Sequence, residues 1–182
     1  MRVLGISGSL RAASHNGRLL RAAAALLPPE AELVIFDGLK GVSPFDEDDE
    51  RAPAHGVRVL RAAIADADAL LFATPEYNHS IPGQLKNAVD WTSRPVASAA
   101  LRGKTAAVIG ASAGIFGAVW AQAELRKVLT AAGARVIDRE LPVGSAYDAF
   151  DAQGALTAPE QRVELADILT ELLAQAGARV AA

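Results

Sequence analysis

The chain contains no cysteine. Disulfides, thiolate nucleophiles and cysteine-ligated metals are therefore excluded. It also lacks a basic excess: 18 lysines and arginines face 21 aspartates and glutamates, for a net charge of -3. Nothing in that balance draws the protein toward nucleic acid or an anionic membrane. Long apolar runs are missing too, since none approaches the roughly 18 residues of a membrane span. The first residues, Met1 to Gly5, lead at once into a polar loop, with no apolar region followed by a cleavage site. A soluble, cytoplasmic protein is expected, with neither membrane nor nucleic acid as partner. What is present suits a core: 51% of the 182 residues are apolar, enough for a single domain over residues 1–182.

Short apolar runs alternate with helical patterns. Strands are predicted at Val3–Ile6, Ala31–Phe36, Ala69–Ala73, Thr105–Ile109 and Ala134–Ile137. Helices are predicted at Asn16–Leu27, Ala54–Ala65, Pro82–Thr92, Gly117–Ala132 and Glu160–Ala176, with a loop from Pro142 to Pro159 before the last. Five apolar strands alternating with five helices imply an α/β fold with a parallel sheet covered on both faces. Five strands favour the flavodoxin-like order 2-1-3-4-5, a three-layer sandwich, over the six-stranded Rossmann order. In either, ligands bind beyond the carboxyl ends of the strands. Three loops meet there: Ser7–His15, Thr74–Ile81 and Gly110–Gly117.

The first loop feeds a helix N-terminus, where free N–H groups and the helix dipole favour an anion. Ser9, Ser14 and Asn16 can donate to phosphate oxygens, and Arg11 adds charge; a plain helix cap by Ser14 or Asn16 is the competing reading. The second loop, Pro75-Glu76-Tyr77-Asn78-His79-Ser80-Ile81-Pro82, is stiffened by two prolines, and Tyr77 offers a flat face suited to a planar heterocycle. In the third, Gly110-Ala111-Ser112-Ala113-Gly114 fits the Gly-x-Ser-x-Gly nucleophile elbow. That hydrolase motif requires a histidine later in the chain, whereas His15, His55 and His79 all precede Ser112. Small residues that let backbone N–H groups approach a ligand are the better account. Gly103-Lys104-Thr105 precedes a strand rather than a helix and is no phosphate loop. The acidic run Asp46–Glu50 reads as a solvated loop, and no His/Asp/Glu group has metal-binding spacing.

Taken together, "GSLRAASHN", "PEYNHSIPGQLKNAVDWTSRP" and "GASAGIFGAVWAQAELRKVL" resemble the NADPH-dependent FMN reductase family, which includes chromate and quinone reductases. The similarity extends over nearly the whole chain and takes in "SPFDED" and "ARVIDRELPVG"; Ala118 and Trp120 depart from the usual pattern. The resemblance implies a flavodoxin-like fold, bound FMN and NAD(P)H as electron donor. Hydride would pass from the nicotinamide through flavin N5 to a small acceptor such as a quinone, chromate, an azo compound or free flavin. It further implies that Ser9, Arg11, Ser14 and Asn16 take the FMN phosphate, that Pro75, Glu76, Tyr77 and Asn78 line the flavin ring, and that Ser112 and Gly114 close its other side. With the flavin carrying the chemistry, no catalytic nucleophile or metal is expected. A homodimer or homotetramer is implied, with Trp91 and Arg94 as the interface expectation and burial in the core as the competing reading of Trp91. A flavodoxin-like electron carrier and a Ser112 hydrolase are the rival functions.

Overall fold

A computed structural model describes residues 1–180, with side chains as far as Ala178. Its elements are β1 (Arg2–Ser7), α1 (His15–Leu26), β2 (Glu32–Phe36), α2 (His55–Asp66), β3 (Ala69–Thr74), α3 (Gly83–Thr92), β4 (Thr105–Ala111), α4 (Val119–Ala131), β5 (Arg135–Val136), β6 (Pro142–Val143) and α5 (Pro159–Val180). The sheet order is β2-β1-β3-β4-β5, with β6 also on β4. All these pairings are parallel.

Side-chain alternation along the central strands builds two cores. Val3, Leu71, Ile109 and Ala111 point to one face, where α1 and α5 pack on them through Leu19, Leu20, Leu165 and Leu169. Leu4, Ile6, Leu70, Phe72 and Val108 point to the other, covered by α2, α3 and α4 through Leu60, Ile64, Leu85 and Leu125. This is the three-layer flavodoxin-like arrangement. Every residue of β3 and β4 is buried, which is why these strands read as continuous apolar runs.

Most element ends differ from expectation by one to four residues, and two differences bear on the site. The Pro142–Pro159 segment is not all loop, because Pro142 and Val143 form a sixth strand. β5 and β6 occupy one sheet position, interrupted. Arg135 and Val136 lie opposite Thr105 and Ala106, whereas Pro142 and Val143 lie opposite Gly110 and Ala111. Between them Arg139 leaves the sheet to pair with Glu164 and Asp167 of α5 (2.9 and 3.3 Å), and Glu140 pairs with Arg126 of α4 at 2.7 Å. The charged Asp138-Arg139-Glu140 run breaks the apolar pattern and hides the strand's resumption. Proline is tolerated in β6 because this strand lies at the sheet edge, where no ladder N–H is required of it. Second, α4 begins at Val119 rather than Gly117, since Gly117 and Ala118 both adopt left-handed backbone (φ 59° and 62°).

Trp91 is core, not interface: it is fully buried and donates from Nε1 to the Ser43 carbonyl at 2.8 Å. Its indole meets Phe45 edge-on (4.9 Å between centroids). Asn87 and Gln84 on the same helix face also hold this stretch. Asn87 accepts from Phe45 N–H (2.7 Å) and donates to Ser43, while Gln84 donates to Leu39 and Val42. The motif Gln84-Leu85-Lys86-Asn87-Ala88-Val89-Asp90-Trp91 thus anchors the Ser43-Pro44-Phe45 segment.

Candidate flavin site

The strand ends deliver their loops to one edge of the sheet. Gly8 N–H donates to Ala73 O (2.8 Å), binding the first loop to the end of β3. Asn16 binds it to the end of β4: Nδ2 donates to Ala111 O and Oδ1 accepts from Ala111 N–H, both at 2.9 Å. Asn16 is 2% exposed. Its amide is therefore a brace between two loops, which corrects the expectation that its side chain faces a phosphate.

Ser14 is the N-cap of α1, accepting from Gly17 N–H at 3.2 Å. The N–H groups of His15 and Asn16 precede the first intrahelical bond and face the helix entrance. Ser9 and Arg11 stand beside them. Ser9 Oγ lies 3.5 Å from the N–H of Arg11, and Arg11 Nη2 donates to Ala13 O at 3.0 Å. Burial, then the charges of Arg11 and Arg18, push the His15 imidazole below its ordinary value, so it is neutral at neutral pH.

The second loop reverses through Asn78 and His79, both at positive φ (53° and 59°), between reciprocal Tyr77–Ser80 backbone bonds. Two left-handed central residues make the primed turn that suits a two-residue reversal. Pro75 is buried at its base, while Tyr77 and Asn78 are exposed. The Glu76 carboxylate joins this loop to α4. Its Oε2 accepts from Ala121 N–H (3.2 Å) in the first turn of α4, whose N-cap, Ala118, has no side-chain acceptor. A carboxylate at that end also complements the helix dipole. Oε1 lies 3.6 Å from His79 Nδ1.

The third loop is knitted to residues that sequence reasoning passed over. Ser112 N–H donates to Val143 O, Ala146 N–H to Ser112 O and Ser145 N–H to Gly114 O, each at 3.0 Å. Val143–Ala146 is thus a fourth strand-end segment, and its only signal in the sequence is the Pro-Val-Gly after the charged interruption. Ser112 Oγ turns onto Gly114 O at 3.3 Å. His79 engages Glu76 and Trp120, and His15 packs on Tyr147. No histidine among the described residues hydrogen-bonds Ser112, the contact that a nucleophile and its base would make.

A helix entrance with free N–H groups, two hydroxyls and an arginine fits a phosphate monoester. The neighbouring pair of loops, one carrying an exposed Tyr77 and the other an exposed Gly114, fits a flat ring. An open parallel sheet of order 2-1-3-4-5 with such an edge defines a flavodoxin-like nucleotide-binding protein. Residues 1–148 match the NADPH-dependent FMN reductase family, and the chain belongs to it. An NAD(P)H-dependent FMN reductase of Pseudomonas aeruginosa is 46% identical over 160 residues, 86% of this chain and 84% of that one. A 2-hydroxy-1,4-benzoquinone reductase of a Burkholderia species is 41% identical over 128 residues, covering 70% and 69%. The solved structure of the flavoenzyme NAD(P)H:acceptor oxidoreductase FerB of Paracoccus denitrificans superposes with a TM-score of 0.85 at 31% identity, covering 97% of each chain. The protein is an FMN-dependent NAD(P)H oxidoreductase.

Proposed function

We propose that this oxidoreductase reduces small quinones on a single domain spanning residues 1–182. Relatives named as quinone and benzoquinone reductases support the acceptor class. The observation that supports the cofactor part of the reading is the Asn16–Ala111 brace, which holds the helix entrance against the third loop.

FMN, when bound, supplies two-electron hydride chemistry. The chain's own work is to hold and orient. Ser9 and Arg11 side chains and the His15 and Asn16 N–H groups take the phosphate, with Ser14 shaping the helix entrance. Pro75, Tyr77 and Asn78 line one side of the ring, with the Glu76 carboxylate fixing that loop on α4. Ser112 and Gly114 close the other side. The Glu76–His79 contact (3.6 Å) serves to hold the second loop, and on this reading the protein positions reactants and leaves proton traffic to solvent.

A homodimer or homotetramer is part of the proposal, and so is a cytoplasmic location. Trp91 being core, Arg94 beyond it remains exposed, and the apolar part of the assembly face is assigned to Ile115, Phe116 and Trp120, which are 77%, 58% and 44% exposed beside the third loop. The Trp120 ring packs edge-on against both His79 and Phe116 (5.1 Å each). Such a cluster on a water-soluble surface asks for cover. A monomer by sedimentation would remove this part.

The acceptor assignment is tested by steady-state turnover of FMN-loaded protein with NADPH and 1,4-benzoquinone. The expected result is one NADPH oxidised per quinone reduced. Turnover with cytochrome c but with no small quinone would replace the proposal with an electron carrier.

A further inference from the structure

A cleft of about 900 Å³ lies off the strand-end crevice, between the outer face of α1, the turn at residues 151–156 and the start of α5. Arg11, Arg18, Arg21 and Arg162 line it, with one carboxylate, Asp151. Arg18 and Arg21 project from adjacent turns of α1, and Arg162 comes from the first turn of α5, so the cluster is assembled by the fold from positions 144 residues apart (18 to 162).

The protein's other arginines show what this cluster lacks. Arg126 pairs with Glu140, and Arg139 reaches Glu164, Asp167 and Glu171. Among the described residues, the guanidinium groups of Arg18, Arg21 and Arg162 have neither a hydrogen bond nor an ion pair; Arg18 lies 4.7 Å over the Phe150 ring. Asp151 offsets one of these charges through space but forms no ion pair with any of them; its Oδ1 accepts from the N–H groups of Gln153 (3.0 Å) and Ala155 (2.9 Å). Both ring nitrogens of His15, on the same wall, are buried without a partner. In a protein of net charge -3, Arg18, Arg21 and Arg162 against the single carboxylate of Asp151 leave a local positive field that favours an anion, with Arg11 shared with the helix entrance.

The walls also select the anion's body. Ala22, Ala25 and Leu26 supply an apolar floor, and Tyr147, 68% exposed, stands at the rim with its ring edge-on to His15 at 4.8 Å. Inorganic phosphate would use neither, whereas a cleft of this size suits a molecule with a planar apolar part. We propose that the cleft binds a phosphorylated adenosine, its phosphate forked by Arg18, Arg21 and Arg162 and its base on the alanine–leucine floor under Tyr147. The ligand has two sources, the 2′-phosphoadenosine end of the NADPH donor or a free nucleotide. Only the first rests on the NAD(P)H oxidoreductase reading.

The test is calorimetric titration of FMN-saturated protein with 2′,5′-ADP, AMP and inorganic phosphate. Saturation with FMN occupies the helix entrance, and substitution of Arg21 and Arg162 leaves untouched Arg11 and His15, which line both places. The expected result is nucleotide binding that weakens with added salt, outcompetes inorganic phosphate and falls about tenfold or more in the Arg21→Ala/Arg162→Ala double variant. FMN affinity stays unchanged in that variant. Steady-state kinetics then separate the sources. A raised KM for NADPH with unchanged KM for NADH and unchanged kcat identifies the donor's adenosine end. Unchanged KM for both, with nucleotide binding still lost, identifies a free nucleotide. Equal nucleotide affinity in wild type and double variant, or no nucleotide binding at all, overturns the proposal. Absence of NADPH oxidation by the wild type would instead count against the oxidoreductase reading and leave the titration interpretable.

Discussion

Asn16→Ala is expected to lower the thermal midpoint of the protein by roughly 5–15 °C and to weaken FMN binding together with it. The amide satisfies both the N–H and the C=O of Ala111, a residue 1% exposed at the end of β4. Removing it leaves a donor and an acceptor buried without partners, at about 1–3 kcal/mol each. For a chain of this length, each kcal/mol moves the midpoint by about 2–4 °C. The flavin effect follows from geometry, because the same bonds hold the helix entrance against the third loop. Asn16→Asp should be nearly as damaging, since a carboxylate accepts from Ala111 N–H but repels Ala111 O. Ser9→Ala serves as the contrast: it removes a polar group at the helix entrance whose loss leaves no buried partner, and its midpoint should stay close to wild type. Circular-dichroism melts of the flavin-free proteins, with FMN titrations alongside, read both effects. An Asn16→Ala midpoint within about a degree of wild type would show that the brace contributes little.

Gly117→Ala is expected to be the second severe change. Gly117 sits at φ 59°, and a Cβ there would lie 2.4 Å from the Pro142 carbonyl carbon and 2.5 Å from Val143 N. Left-handed backbone alone costs alanine about 1–2 kcal/mol. The contact is with backbone, which cannot rotate away, so β6 must separate from the third loop, and the total cost should reach about 3–5 kcal/mol. Gly154→Ala isolates the conformational part. Its φ is 87°, yet nothing lies within 4 Å of the added Cβ. Urea unfolding should show the Gly154 variant losing only about 1–2 kcal/mol. If the two variants lost equal stability, the close approach of Gly117 to β6 would not be a constraint.

The alternation of Val3, Leu71 and Ile109 with Leu4, Leu70 and Val108 settles two buried faces and hence the parallel sheet, because burial on both sides leaves no polar residue to obscure the runs. The cap at Ser14, a local interaction, was legible only as the alternative to a phosphate contact, with Asn16 as an equal candidate. The tasks of Asn16 and Glu76 were not. Both carry side chains that suit a ligand, and only the partner found in three dimensions, Ala111 N–H and C=O for one and Ala121 N–H for the other, shows that they brace loops instead. β6 was hidden for a related reason. Its neighbours Arg139 and Glu140 are drawn outward by ion pairs with α5 and α4, and these depend on how the helices pack around the sheet. Trp91 could be core or interface by composition, and its Nε1 bond to Ser43 decides.

The central claim is that the braced strand-end loops hold FMN and expose it to a nicotinamide donor. The most direct measurement is the absorbance spectrum of the protein titrated with FMN and then, without oxygen, with NADPH. The account predicts saturable perturbation of the oxidised-flavin band near roughly 450 nm, lost in parallel with stability in Asn16→Ala, and bleaching of that band by NADPH. A wild-type protein that leaves the FMN spectrum and its fluorescence unchanged at every concentration would contradict it.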